Sequence, residues 1–89
     1  MKLYEVLLHP DAQKVYADAD RALAKKIARC LRQLEKTPRS HPNIKALKGD
    51  YAGYYRYRIG DYRVIYSVDG ELVQVFVVVI AHRSQSYES

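Results

Sequence analysis

Residues 54 to 68, YYRYRIGDYRVIYSV, alternate between two kinds of side chain on either side of Gly60-Asp61, and this period of two is the strongest constraint on the fold. Gly-Asp offers a two-residue hairpin turn. With that turn, Ile59 pairs with Tyr62, Arg58 with Arg63, Tyr57 with Val64 and Arg56 with Ile65. Strand geometry then puts Tyr55, Tyr57, Ile59, Tyr62, Val64 and Tyr66 on one face and Arg56, Arg58 and Arg63 on the other. The first face is apolar and needs a layer of helix to cover it.

The rest of the chain supplies that layer and two more strands. KLYEVLL (2 to 8) is short, apolar and rich in strand formers, and His9-Pro10 stops it. PDAQKVYADA (10 to 19) suits a short helix, with Pro10 in its first turn. Asp20 is a good N-cap for a longer helix in which Leu23, Ile27, Leu31 and Leu34 form one apolar stripe, and Pro38 ends it. Beyond the hairpin, Asp69-Gly70 signals a second two-residue turn and LVQVFVVVIA (72 to 81) a third strand. That strand is nearly all apolar, so it is expected at the centre of the sheet, covered on both faces. On this turn Phe76 falls opposite Arg63 and Gln74 opposite Ile65, and plain alternation carries Ile80 and His82 to the arginine side. The predicted class is α+β: an N-terminal strand, a helical hairpin, then a three-stranded antiparallel meander, with the helices on one face.

At 89 residues the chain is expected to form one domain, 1 to 89, burying only about 60 to 65% of the surface its unfolded form exposes. Hydrophobic residues make up 48% and charged residues 28%, which fits a folded domain and not a disordered segment. The N-terminal apolar run is too short for a signal peptide and no window approaches the ~18 apolar residues of a membrane span. A cytoplasmic protein without a membrane partner is expected. Cys30, the single cysteine, leaves no intrachain disulfide and no thiolate metal cluster, and reads as a small apolar residue on a helix.

The net charge of +5 favours a polyanionic partner. It is unevenly spread: residues 1 to 43 hold nine basic and five acidic side chains, residues 44 to 89 six and five. The arginines of the hairpin therefore act locally. Directly opposed like charges, Arg58 against Arg63, destabilise an antiparallel pair by a few tenths to about 1 kcal/mol. Such a cost suits a face that binds an anion; the plainer alternative is an exposed sheet face with Asp50 or Glu71 as neutralising partners. On the second helix Arg21, Lys25, Arg29, Arg32 and Lys36 recur at spacings of four, four, three and four. This basic stripe either is a solvated helix face or tracks a phosphate backbone.

The closing segment VVVIAHRSQSYES, in which a strand runs into Ala81-His82-Arg83 and a tyrosine follows at 87, resembles the RelE branch of the RelE/ParE toxin superfamily. The likeness extends through the opening strand, the helical hairpin ending near QLEKTP and the segment ALKGDYAGYYRYRIGDYRVIY. It implies the toxin of a type II toxin-antitoxin pair, a ribosome-dependent messenger-RNA endonuclease held inactive by a cognate, RelB-like antitoxin. Enzymes of that kind cut in the ribosomal A site without metal or other cofactor: the 2′-hydroxyl attacks the adjacent phosphodiester, leaving a cyclic phosphate and a 5′-hydroxyl. By this resemblance Arg56 and Arg58 match the family's basic pair before the turn and Arg63 the arginine after it. Arg83 matches the arginine ending the last strand, and Tyr87 the C-terminal aromatic.

Roles follow from chemistry. Arg56 and Arg63 suit the scissile phosphate, since a planar guanidinium fork fits two phosphate oxygens. Arg83 is placed to stabilise or protonate the leaving 5′-oxygen, and Tyr87 to stack on a base. The general base stays open. Arginine, with a pKa above ~12, is a poor base, so either water or RNA accepts the proton from an acidified 2′-hydroxyl or His82 serves; a histidine hydrogen-bonded at a strand end without catalytic role is the alternative for that residue. His9 and His41 adjoin prolines in predicted loops and read as structural or solvent-facing. Two other functions share the fold: a ParE-like gyrase inhibitor, which does not need this cationic cluster, and a non-catalytic module that binds only antitoxin or RNA.

Overall fold

His9-Pro10 ends the first strand as a matter of covalent geometry, and the same two residues start the first helix. Strand β1 spans Glu5–Leu8 and helix α1 Pro10–Asp18. Pro10 occupies the first turn, where its missing N–H costs nothing, and His9 Nδ1 accepts from the Asp11 N–H at 3.1 Å. Helix α2, Arg21–Lys36, opens on Asp20, whose Oδ1 accepts from the Leu23 N–H at 2.8 Å. Strands β2 (Ile44–Ala46), β3 (Tyr54–Ile59), β4 (Tyr62–Asp69) and β5 (Gln74–His82) follow. The computed structural model describes residues 3–85. Among them no helix is long and apolar enough to cross a membrane.

The sheet order is β1-β5-β4-β3-β2, with β1 parallel to β5 and the other pairs antiparallel. The α+β class is as the sequence implies, with two differences. A fifth strand, β2, pairs with Tyr55–Tyr57 of β3, and the central position falls to β4 instead of β5. Nor is β5 covered on both faces along its length, since Phe76 is 40% exposed.

The β3–β4 hairpin has the expected register, with Arg58 opposite Arg63 and Arg56 opposite Ile65, and Gly60 takes φ 59°, which the tight turn requires. The second hairpin departs from expectation. Its connection is residues 70 to 73, because the Asp69 carboxylate accepts from both the Glu71 and Leu72 N–H groups at 3.0 Å and winds a longer loop. Phe76 therefore lies opposite Ser67, Gln74 opposite Asp69, and Arg63 opposite Ala81.

A bulge then breaks the alternation of β5. Tyr66 pairs with Val77 and its neighbour Ile65 with Val79, so Val78 is the extra residue. One inserted residue exchanges the faces of everything after it. Ile80 is thus turned into the core, 4% exposed, and His82 pairs with Tyr62 on the helix side, which corrects its expected place among the arginines. The bulge moves the core-facing positions of β5 from Val75 and Val77 before it to Ile80 after it, so no single alternation runs through the strand.

The core lies between the helices and one face of the sheet: Ala12, Ile27, Cys30 and Leu34 against Tyr57, Ile59, Val64, Tyr66, Val75, Val77 and Ile80. Fully burying each large side chain contributes roughly 1.5–3 kcal/mol. Tyr66 is completely buried and its hydroxyl donates to the Pro38 carbonyl at 2.7 Å, tying the end of the helical layer to the sheet. Cys30 is 1% exposed, in the small apolar role read from the sequence, and burial pushes its thiol up to about 12.

Candidate functional site

The face of the sheet away from the helices carries the hairpin arginines. Register places them in two adjacent rows: Arg58, Arg63 and Ala81 across β3, β4 and β5, and Lys45, Arg56, Ile65 and Val79 across β2 to β5. The third row is Tyr54, Ser67, Phe76 and Leu7. Arg56 and Arg63 are half-buried and Arg58 is exposed. The first two thus stand against the sheet with part of their stems covered, a setting that limits rotamer freedom and fixes the guanidinium more firmly than on an open surface. Ile65, 1% exposed yet outside the core cluster, lies between them and packs the floor of the face.

Arg83 stands at the end of β5, in a 3₁₀ turn spanning Arg83–Gln85. Its N–H donates to the Asp61 carbonyl at 2.6 Å, and its Nε lies 3.6 Å from Asp61 Oδ1, both side chains being nearly two-thirds exposed. The backbone bond anchors Arg83 at the β3–β4 turn, two residues beyond Ala81 and therefore at the Arg58–Arg63 end of the sheet. An exposed ion pair of this kind contributes at most about 1 kcal/mol and yields readily to a phosphate. Tyr87 lies outside the described residues.

His82 stands apart from this set. Its ring meets Tyr62 edge-on at 5.2 Å on the helix side, and Nδ1 accepts from the Ser84 N–H at 3.1 Å with Ser84 Oγ at 2.9 Å. The sheet separates it from Arg56 and Arg63. His9 and His41 are structural: His9 caps α1, while His41 stacks on Tyr57 at 5.3 Å and accepts from the Asn43 N–H at 3.1 Å.

Arg21, Lys25, Arg29, Arg32 and Lys36 are all exposed on α2, opposite its buried Ile27, Cys30 and Leu34. The stripe and the arginine face are on opposite sides of the sheet. Lys45 is the cation that the sequence reading missed. It sits directly across from Arg56 on β2, and the signal was there in Ile44-Lys45-Ala46, an alternating triplet too short to read as a strand without its partner.

A cluster of guanidinium groups on one sheet face, with the row of Tyr54, Ser67, Phe76 and Leu7 beside it, is chemically suited to a phosphate-bearing chain: cations for the anionic oxygens and an apolar floor for a sugar or base. The helical hairpin on a five-stranded sheet, with this face left open, defines a class of small α+β toxin folds. The family model described as "ParE toxin of type II toxin-antitoxin system, parDE" matches residues 6–87, and the chain belongs to this ParE/RelE toxin family. A protein of Mycobacterium tuberculosis named Toxin RelE is 44% identical over 43 residues, so the match spans 48% of this chain and 44% of that relative. Among solved structures, the toxin-antitoxin complex RelBE2 from Mycobacterium tuberculosis superposes with a TM-score of 0.76 at 27% identity, over 91% of this chain and 99% of that one. The archaeal RelE-RelB complex from Pyrococcus horikoshii gives 0.77 at 28% identity, over 94% and 99%.

Proposed function

We propose that this chain is a RelE-type toxin that cleaves messenger RNA in the ribosomal A site. The observation that carries the reading is the cross-strand row in which Arg58 opposes Arg63 beside Arg56 on an open sheet face. Directly opposed like charges weaken a sheet, and a bound phosphate offsets that cost. In the proposed reaction the ribose 2′-oxygen attacks the adjacent phosphorus, the bond from phosphorus to the 5′-oxygen breaks, and a 2′,3′-cyclic phosphate and a 5′-hydroxyl result. Arg56 and Arg63 hold the non-bridging oxygens and stabilise the additional charge of the phosphorane; Arg58 adds to the same field. Arg83 stabilises the departing 5′-oxygen, which takes a proton from water to become the 5′-hydroxyl, and Tyr87 stacks on a base. In this reading the proton of the 2′-hydroxyl passes to water or to the RNA, supported by the place of His82 beside Tyr62 on the helix side.

The α2 stripe, Arg21, Lys25, Arg29, Arg32 and Lys36, is proposed to contact RNA backbone outside the cleavage site. A RelB-type antitoxin is the proposed partner, supported by the complexes that share this fold at 27% and 28% identity. The ribosomal substrate puts the toxin in the cytoplasm as a domain of residues 1 to 89, free of metal and cofactor. Gyrase inhibition is the second reading, favoured by the ParE description of the matching family model. Purified toxin added to a translation reaction and, separately, to a gyrase supercoiling reaction distinguishes them. Cleaved message with unaffected supercoiling supports the nuclease, and the converse result supports the gyrase inhibitor.

A further inference from the structure

A cleft of about 220 Å³ opens at the edge of β3, where β2 has ended and the sheet meets α2. Its walls are Lys26 and Arg29 from α2, Asn43 from the loop before β2, and Tyr57, Arg58 and Gly60 of the hairpin. Lys26 and Arg29 are three apart and so lie side by side on the helix. Three basic residues and two neutral polar ones contribute to its lining over a buried floor of Cys30 and Ile59, and among the described residues no carboxylate lines it. The volume is below the roughly 300 Å³ at which drug-sized ligand sites begin, which suits a phosphate with part of its ribose.

Local backbone structure builds the cleft. Strand β2 pairs only as far as Ile44 with Tyr57, and the Arg58 N–H then donates to the Asn43 carbonyl at 3.0 Å, so the β3 edge beyond it is uncovered. Gly60 keeps that edge low. A Cβ placed there would lie 3.9 Å from Lys26 Nζ, so the ammonium sits directly over the turn. Tyr57 forms the inner wall and is pinned by the stacked ring of His41. Arg58 belongs by register to the open face and by position to this cleft. It therefore borders both the arginine face and the cleft beside the basic helix.

We infer that this cleft is a second phosphate-binding site, one that holds a backbone phosphate of the RNA as the strand passes round the β3 edge from the arginine face towards α2. The inference rests on the RNA reading above but concerns residues that reading does not use: Lys26, Asn43, Tyr57 and Gly60. A single strand crossing the edge finds a fixed, concave cationic site there, in place of the diffuse attraction of an exposed helix face.

The test compares two variants of equal charge. K26Q/R29Q removes the two cleft cations contributed by α2, and K25Q/R32Q removes two charges from the exposed stripe. Binding of a 2′-O-methyl single-stranded RNA, which cannot be cleaved, is measured against salt for each. The proposal expects K26Q/R29Q to weaken binding at least tenfold more than K25Q/R32Q, and equal losses would overturn it. Backbone amide shifts on titration with inorganic phosphate give a readout independent of any nuclease activity. Shifts concentrated at Asn43 and at residues 58 to 60, abolished in K26Q/R29Q, support the site even if no message is cut. Shifts distributed along α2, or confined to Arg56 and Arg63, contradict it while leaving the nuclease reading intact.

Discussion

Arg58 and Arg63 stand directly opposite each other across the β3–β4 ladder, two positive charges paired where a sheet gains most from opposite ones. This arrangement sets function against stability. Arg58→Gln should raise the unfolding free energy by a few tenths to about 1 kcal/mol at low ionic strength and less at high salt, where screening removes the repulsion. The same variant should lower the single-turnover cleavage rate by about 10²-fold, the usual cost of losing one group that stabilises transition-state charge. Urea unfolding at two salt concentrations, alongside the cleavage assay, checks both halves. A destabilised Arg58→Gln would mean that the pair is not under tension.

The Tyr66 hydroxyl makes a buried polar contact from the inner face of the sheet to the Pro38 carbonyl. Burial holds its proton well above the ordinary phenol value of 10.0. The unfolded chain therefore releases this proton first, and above about pH 10 it binds fewer protons than the native state, so stability falls as pH rises and is fully present below that point. Tyr66→Phe leaves the Pro38 carbonyl without its donor and should cost about 1–2 kcal/mol at neutral pH. It should also flatten the alkaline loss. Denaturation midpoints at neutral pH and near pH ~11 test the sign directly.

Cys30 should behave as an inert core residue. With its thiol 1% exposed and pushed up to about 12, almost no thiolate exists at neutral pH. A thiol-reactive reagent should label the native protein only at the rate of unfolding, and labelling should become immediate in denaturant. Fast labelling of native protein would show that α2 opens locally from the sheet.

The structure also marks where sequence reading reaches its limit. The first hairpin was legible because one turn and strict alternation fix a register, and the faces of Arg56, Arg58 and Arg63 follow from it. The second was not. Asp69 spends its carboxylate on two backbone donors and lengthens the loop, and Val78 adds a residue to a run so uniformly apolar that no change of period shows. His82 was assigned to the wrong face for that reason alone. Lys45 and the cleft at Gly60 depend on which strand ends where, and a three-residue strand such as β2 acquires its identity only from its neighbour. The helices, by contrast, were marked at both ends by Pro10, Asp20 and Pro38, whose effects are local.

The chemistry of the arginine face meets its most direct test on ribosomes programmed with two messages that differ at one atom, the 2′-oxygen of the nucleotide preceding the scissile phosphate in the A site. The account predicts that the unmodified message is cut to a 2′,3′-cyclic phosphate and a 5′-hydroxyl, that the 2′-deoxy message survives, and that Arg63→Ala abolishes the cut. Cleavage of the deoxy message, or an uncut normal message at saturating toxin, would contradict it.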